Sequence, residues 1–321
     1  MKKFLLTATM VMVLLLLASC TPSNEDVRIG VLQLMHHTSL DEIREAFLEE
    51  MRRLGYGDEQ FEIMVGTGGG DMPTMAQTLI GMNVDVIMAI TTPSAQSAYT
   101  QVAAAGVDIP IVFSAVSNPV NAGLVERLDH TPGNITGTSD ALDVEAVFAL
   151  ARQLTPEARV FGLVYSFEPN AISIMDEIKA YINANPGFSY LEASVTSTAD
   201  VQDAALSLVG HVDAFMTATD NTVAAAMAVF AQVAIDAGIP IYTGADSMVR
   251  DGGFATAGID YTVLGAETAK LVHNVLEGIP ISELPVVVMY EVMPPTPIVN
   301  AETAALLGID ISNFQGIVYG G

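Results

Sequence analysis

The residues of this chain that could do chemistry lie in loops that follow short apolar runs, the place where a parallel sheet presents side chains to a ligand. Thr91-Thr92-Pro93-Ser94-Ala95-Gln96 follows the run at 84–90. Thr92 is spaced as an N-cap and Pro93 as a first helical residue. The N–H groups around Ser94 and Ala95 then make a carboxylate site, or Thr92 simply caps its own helix. In Thr219-Asp220-Asn221-Thr222, Asp220 either caps a helix or holds an ammonium or hydroxyl group. Donors on one loop and an anion on the other complement a zwitterion. Ser117-Asn118-Pro119, Glu168-Pro169-Asn170, Asp246-Ser247 and Asp260-Tyr261 stand in equivalent places. Each alone is an ordinary solvated turn, and only convergence on one sheet edge makes them a site.

Other chemistries are excluded by type or spacing. His36 and His37 are adjacent in an extended segment and cannot face one point, and no Cys or third His lies near, so no metal site is expected there. Either ring could stack on a planar ligand. Gly66-Thr67-Gly68-Gly69-Gly70-Asp71 lacks the Lys-Ser/Thr of a phosphate loop, and Asp71 stands where a dinucleotide fingerprint needs Gly, so it reads as a flexible connector and no cofactor is expected. No Gly-x-Ser-x-Gly elbow occurs. One Cys allows neither an internal disulfide nor a two-thiol proton transfer, which excludes a two-lobed racemase. With 12 basic against 37 acidic residues, there is no phosphate-tracking surface and nucleic acid is not a partner.

The elements that must position these loops alternate between strand and helix, which means α/β layers with parallel sheets. Strands are expected at 27–34, 61–66, 84–90 and 109–116, then again at 160–166, 190–195, 212–219 and 239–245, with helices between. Ser39 with Glu42 gives a capping-box pattern for the first helix. VDVIMAITTPSAQ at Val84 matches VDAFMTATDNTVA at Val212, and IPIVFSAVS at Ile109 matches IPIYTGADS at Ile239, as in a duplicated unit. The tail alternates too, so two lobes completed by crossing segments are expected: 27–138 plus 252–284, and 139–251 plus 285–321.

At the N-terminus, Lys2 and Lys3 precede an apolar run that ends in Leu17-Ala18-Ser19-Cys20. This is the layout of a secretory signal, expected over 1–19. Its end resembles the bacterial lipobox, which implies lipid on Cys20, a tether over 20–26, and a location on the extracytoplasmic side of a cell membrane. Loss of the two lysines takes the formal charge from −25 to −27.

Longer motifs resemble one family. PIVFSAVSNPVNAGLV (110–125), Thr-Pro-Ser-Ala-Gln (92–96), Asn-x-Thr-Gly-x-Ser-Asp (134–140), Glu-Pro-Asn (168–170) and Thr-Asp-Asn-Thr-Val (219–223) are similar, in that order, to lipoprotein substrate-binding components of ABC importers, the group with tryptophan- and tyrosine-binding proteins. Asn118 replaces the usual Asp, and Ala171 the usual Ser. The resemblance implies a type I periplasmic-binding fold, two Rossmann-like lobes on a three-crossover hinge, with no catalysis. A monomer would enclose an amino acid, aromatic by preference, and deliver it to a permease. On this reading the α-carboxylate is expected at the helix start near Thr92, Ser94 and Ala95 with Ser117 and Asn118 beside it, and the ammonium at Asp220 and Asp246; Gln96 and Asn221 are further candidate ligand-binding residues. Glu168 and Asn170 would latch closure, and the side chain would lie toward His36, His37 or Tyr261. Another small solute (a branched-chain amino acid, nucleoside or sugar), or a sensor role, is the alternative.

Overall fold

The computed structural model describes residues 27–131 and 133–320. The expected signal, Cys20 and the tether lie outside them. The first unit runs β1 (Ile29–Gln33), α1 (Thr38–Arg53), β2 (Phe61–Val65), α2 (Met72–Gly81), β3 (Val86–Ile90), α3 (Thr92–Ala105), β4 (Ile111–Ser114) and β5 (Ile135–Ser139). The second runs α4 (Val144–Leu154), β6 (Val160–Ser166), α5 (Pro169–Ala184), β7 (Ser189–Val195), α6 (Val201–Leu208), β8 (Ala214–Met216), α7 (Asn221–Ala225), α8 (Met227–Ala237), β9 (Ile241–Tyr242), α9 (Asp246–Arg250) and β10 (Ala255–Gly258). The tail adds α10 (Tyr261–Leu276), β11 (Val287–Val288), α11 (Met289–Val292), β12 (Thr296–Asn300), α12 (Ala301–Leu307) and β13 (Ile317–Tyr319).

Both units wind in the same order. The first sheet reads β2-β1-β3-β4-β5-β11 and the second β7-β6-β8-β9-β10-β12-β13, parallel except for the β10/β12 pair. The repeated sequences therefore occupy equivalent strands, and the repeated residues perform equivalent local tasks. Asp85 before β3 accepts the Arg28 N–H at 2.8 Å, and Asp213 before β8 accepts the Arg159 N–H at 2.8 Å, each fixing the start of the central strand. Gly106 and Gly238 end α3 and α8 in the left-handed region, at φ 66° and 70°, where a side chain is disfavoured. The Gly-rich connector is pinned: Asp71 accepts from the N–H and Oγ1 of Thr67, both at 2.7 Å, as Asp200 does from Thr196 in the second unit. Between β8 and β9 the helical segment is broken into α7 and α8 at Ala226, whose backbone leaves helical values.

The tail crosses between the lobes at places other than those expected. Within 252–284, expected in the first lobe, β10 belongs to the second sheet; Thr243 N–H bonds the Ala255 carbonyl and Phe254 N–H bonds that of Ile241. Residues 285–292, expected in the second lobe, hold β11, which pairs with β5 of the first. Such small apolar runs suit either sheet, and only the pairing partner decides. The chain thus passes between lobes after β5, after β10 and after α11. Helix α10 returns to pack along α1, at a separation that Gly265 permits: a Cβ there would overlap the Ile43 carbonyl oxygen.

Candidate ligand-binding cleft

The strand ends of the two sheets face each other across a narrow cavity. The first lobe contributes His37, Ser39 and Leu40 at the start of α1, with Thr91 and Ala115 after β3 and β4. The second contributes Asn170, the Thr219-Asp220-Asn221 turn, Ala224, and Ala245 with Met248. Asp140 and Tyr261, at the first and second crossings, complete the lining, which contains no Lys or Arg. Thr91 (φ 92°) and Ala115 (φ 54°) hold positive φ without being glycine, a strained geometry that clusters at functional sites.

The hinge side is a buried acid. Tyr261 O–H donates to Asp140 Oδ2 at 2.9 Å and Ser117 Oγ to Oδ1 at 2.8 Å, while burial pushes this carboxyl's pKa up. Ser117 also meets Thr219 Oγ1 across the cleft at 3.1 Å. Asp220 caps α7 by accepting the Val223 N–H at 3.1 Å, and accepts the Ser166 N–H at 2.5 Å. Burial, and then the charge of Glu168, raise its pKa to about 6. His37 Nε2 lies 3.2 Å from Asn221 Oδ1 in the other lobe. Burial lowers the pKa of this ring and favours its neutral form, and Nδ1 is buried without a partner.

Several expected residues face elsewhere. Ser94 donates to Met72 Sδ at 3.2 Å and Ala95 is fully buried in the first lobe, because the phase of α3 turns both residues into the core. Gln96 bonds the Ala122 carbonyl at 2.9 Å. Asp246 pairs with Arg250 Nη1 and accepts the Ser247 N–H, both at 2.8 Å, and does not line the cavity. Glu168 does not latch the lobes; it accepts from Asn221 Nδ2, and from Thr222 N and Oγ1, within its own lobe. His36 is exposed and bonds Asp41. Thr92 and Asn118 line a second, smaller recess with Asn121, Asn170 and Ser173; Asn170 lines both, and Thr92 Oγ1 and Asn170 Oδ1 are buried without partners.

Closure is held by α1 and α9. Thr38 Oγ1 donates to Asp251 at 2.8 Å, Ser39 meets Ser247, and Arg250 reaches Glu42. The expected capping box therefore does not form: His37 is the N-cap, and both Ser39 and Glu42 reach across the cleft instead.

Residues 28–314 match the profile of ABC transporter substrate binding proteins. The chain is 34% identical over 304 residues to the tyrosine-binding protein of Clostridioides difficile strain R20291, covering 93% of this chain and 86% of the relative. It belongs to the ABC transporter substrate binding protein family. Among solved structures, one from Streptococcus pneumoniae in complex with L-Trp has a TM-score of 0.83 at 30% identity, covering 91% of this chain and 99% of that one. The ligand-free, open structure of a substrate binding protein with adhesive properties from Clostridium difficile scores 0.68 at 31% identity, covering 91% and 98%. At nearly the same identity, 30% and 31%, this substrate binding protein lies nearer the L-Trp complex than the open form, in keeping with its bonds across the cleft. More distant binding proteins, such as one with bound myo-inositol from Bacillus halodurans at 17% identity and TM-score 0.57, share the type I periplasmic-binding fold. A substrate-binding component of an ABC transporter takes up its solute on the extracytoplasmic side and carries out no catalysis. No helix among the described residues is long and apolar enough to cross a membrane.

Proposed function

We propose that the cleft binds an aromatic amino acid as a zwitterion, and that the protein, anchored through lipid on Cys20, delivers it as a monomer to an ABC permease. The carrying observation is the division of labour across the cavity. Asp220, Asp140 and the unpartnered Asn170 Oδ1 gather acceptors for an ammonium group, with Asp220 and Asp140 buried and without a cationic side chain in the lining. Opposite, α1 and α3 begin at His37 and Thr91, neither of which caps its helix with a side chain, and so offer N–H groups to a carboxylate. Leu40, Ala115, Ala224, Met248 and the Tyr261 ring supply apolar wall for a side chain. The tyrosine-binding relative and the L-Trp complex support the aromatic class.

Burial between lobes gives affinity, and the closed form is the species a permease would recognise. Calorimetry of the purified, exhaustively dialysed protein against the amino acids tests the reading: an aromatic amino acid binds, and absence of binding by any zwitterion overturns it. Because the chain has no Trp, tryptophan emission from the dialysed protein would have to come from retained ligand. Replacement of Cys20 by Ser should move the protein from the membrane to the soluble fraction; retention in the membrane would refute the lipid anchor.

A further inference from the structure

His37 and Asn221 stand 184 residues apart and meet across the closed cleft. His37 lines the cavity, and what lies behind Asn221 fixes its tautomer. Glu168 is surrounded by donors from the start of α7: Thr222 N–H at 3.1 Å, Thr222 Oγ1 at 2.7 Å and Asn221 Nδ2 at 2.5 Å. A carboxylate only accepts, so the Asn221 amide must turn its NH2 toward Glu168 and its carbonyl oxygen toward His37. A carbonyl oxygen also only accepts, and the imidazole must therefore carry its proton on Nε2. Burial keeps the ring from taking a second proton. Nδ1 is left as a bare lone pair, buried, with no partner in the protein.

We infer that His37 is the specificity-determining residue of this cleft, and that through the Glu168–Asn221–His37 chain it selects ligands whose side chain carries an N–H or O–H donor. Resting on the aromatic amino-acid reading above, this favours the phenol of tyrosine and the indole of tryptophan over phenylalanine, whose ring would bury the Nδ1 lone pair against carbon. A buried acceptor left without its hydrogen bond weakens binding by roughly 5- to 100-fold.

The test is calorimetry with L-tyrosine, L-tryptophan, L-phenylalanine and benzothienylalanine, which keeps the indole outline without its N–H. The native protein should bind the first pair roughly 5- to 100-fold tighter than the second. In His37→Leu the gap should collapse from both sides: tyrosine and tryptophan lose their acceptor and bind more weakly, while phenylalanine is relieved of the unpaired Nδ1 and binds as well or better. His37→Gln, which can still accept, should keep part of it, and thermal unfolding of both variants separates loss of selectivity from loss of fold. Equal affinity of the native protein for all four ligands overturns the role of His37 and leaves the aromatic reading intact. An equal loss for every ligand in His37→Leu also overturns it, because the ring would then serve the part all amino acids share. If none of the four binds the native protein, the aromatic reading fails and this inference with it.

Discussion

Arg250 of α9 and Glu42 of α1 join the two lobes, Nη2 of the guanidinium lying against both carboxylate oxygens, while Nη1 holds Asp246 at 2.8 Å. Neither residue lines the ligand cavity. The side chains are 29% and 27% exposed, so solvent screens the pair and its worth is about 1 kcal/mol or less. Glu42→Gln should therefore weaken ligand binding up to roughly fivefold, through faster dissociation with an unchanged association rate. Stopped-flow traces check this, and the difference should shrink at high salt.

Asp220 makes binding and stability depend on pH in opposite senses. Its folded pKa of about 6 lies above the ordinary 3.8, so the folded protein holds more protons than the unfolded chain between those values. Stability is present below that window and is lost as pH rises through it, by on the order of 3 kcal/mol. Asp220→Asn, which keeps an acceptor for the α7 cap, should flatten the stability curve between about pH 4 and pH 6. Affinity for an ammonium-bearing ligand should rise over the same range in the native protein and not in the variant, as titration calorimetry at several pH values would show.

The close approach of α1 and α10 depends on Gly265. Gly265→Ala should cost about 1–3 kcal/mol, read as a lower midpoint in thermal unfolding. Since α1 carries His37 and Glu42, ligand affinity should fall as well.

Ala115 stores strain beside the ligand. Its φ of 54° suits glycine, so Ala115→Gly should raise stability by about 0.5–1 kcal/mol in urea unfolding. An unchanged midpoint would mean that the surroundings hold this conformation at no cost.

Much of this arrangement was legible in the sequence because duplication wrote it twice. The Val-Asp dipeptides at 84 and 212, and the Gly before each Ile-Pro-Ile or Val-Asp-Ile-Pro-Ile run, mark equivalent strand starts and helix ends. What could not be read was partnership at long range. Asp246 reads as a strand-end acid until Arg250 claims it, and Arg250 is aimed by Glu42, 208 residues earlier. Asp140 ends a motif 121 residues before the Tyr261 hydroxyl that makes it part of the cavity. Ser94 and Ala95 failed for a local reason: both stand on the side of α3 that packs into the first lobe.

The three crossings also set the order in which the molecule can be completed during synthesis. The first sheet lacks β11 until residue 288 has emerged, and α1 lacks α10 until 276, although the rest of that lobe is finished at β5. The second sheet waits for β12 and β13, at 300 and 319. Neither lobe is a continuous piece of chain, so neither can close early on the ribosome, and no gene fragment encodes one lobe without part of the other.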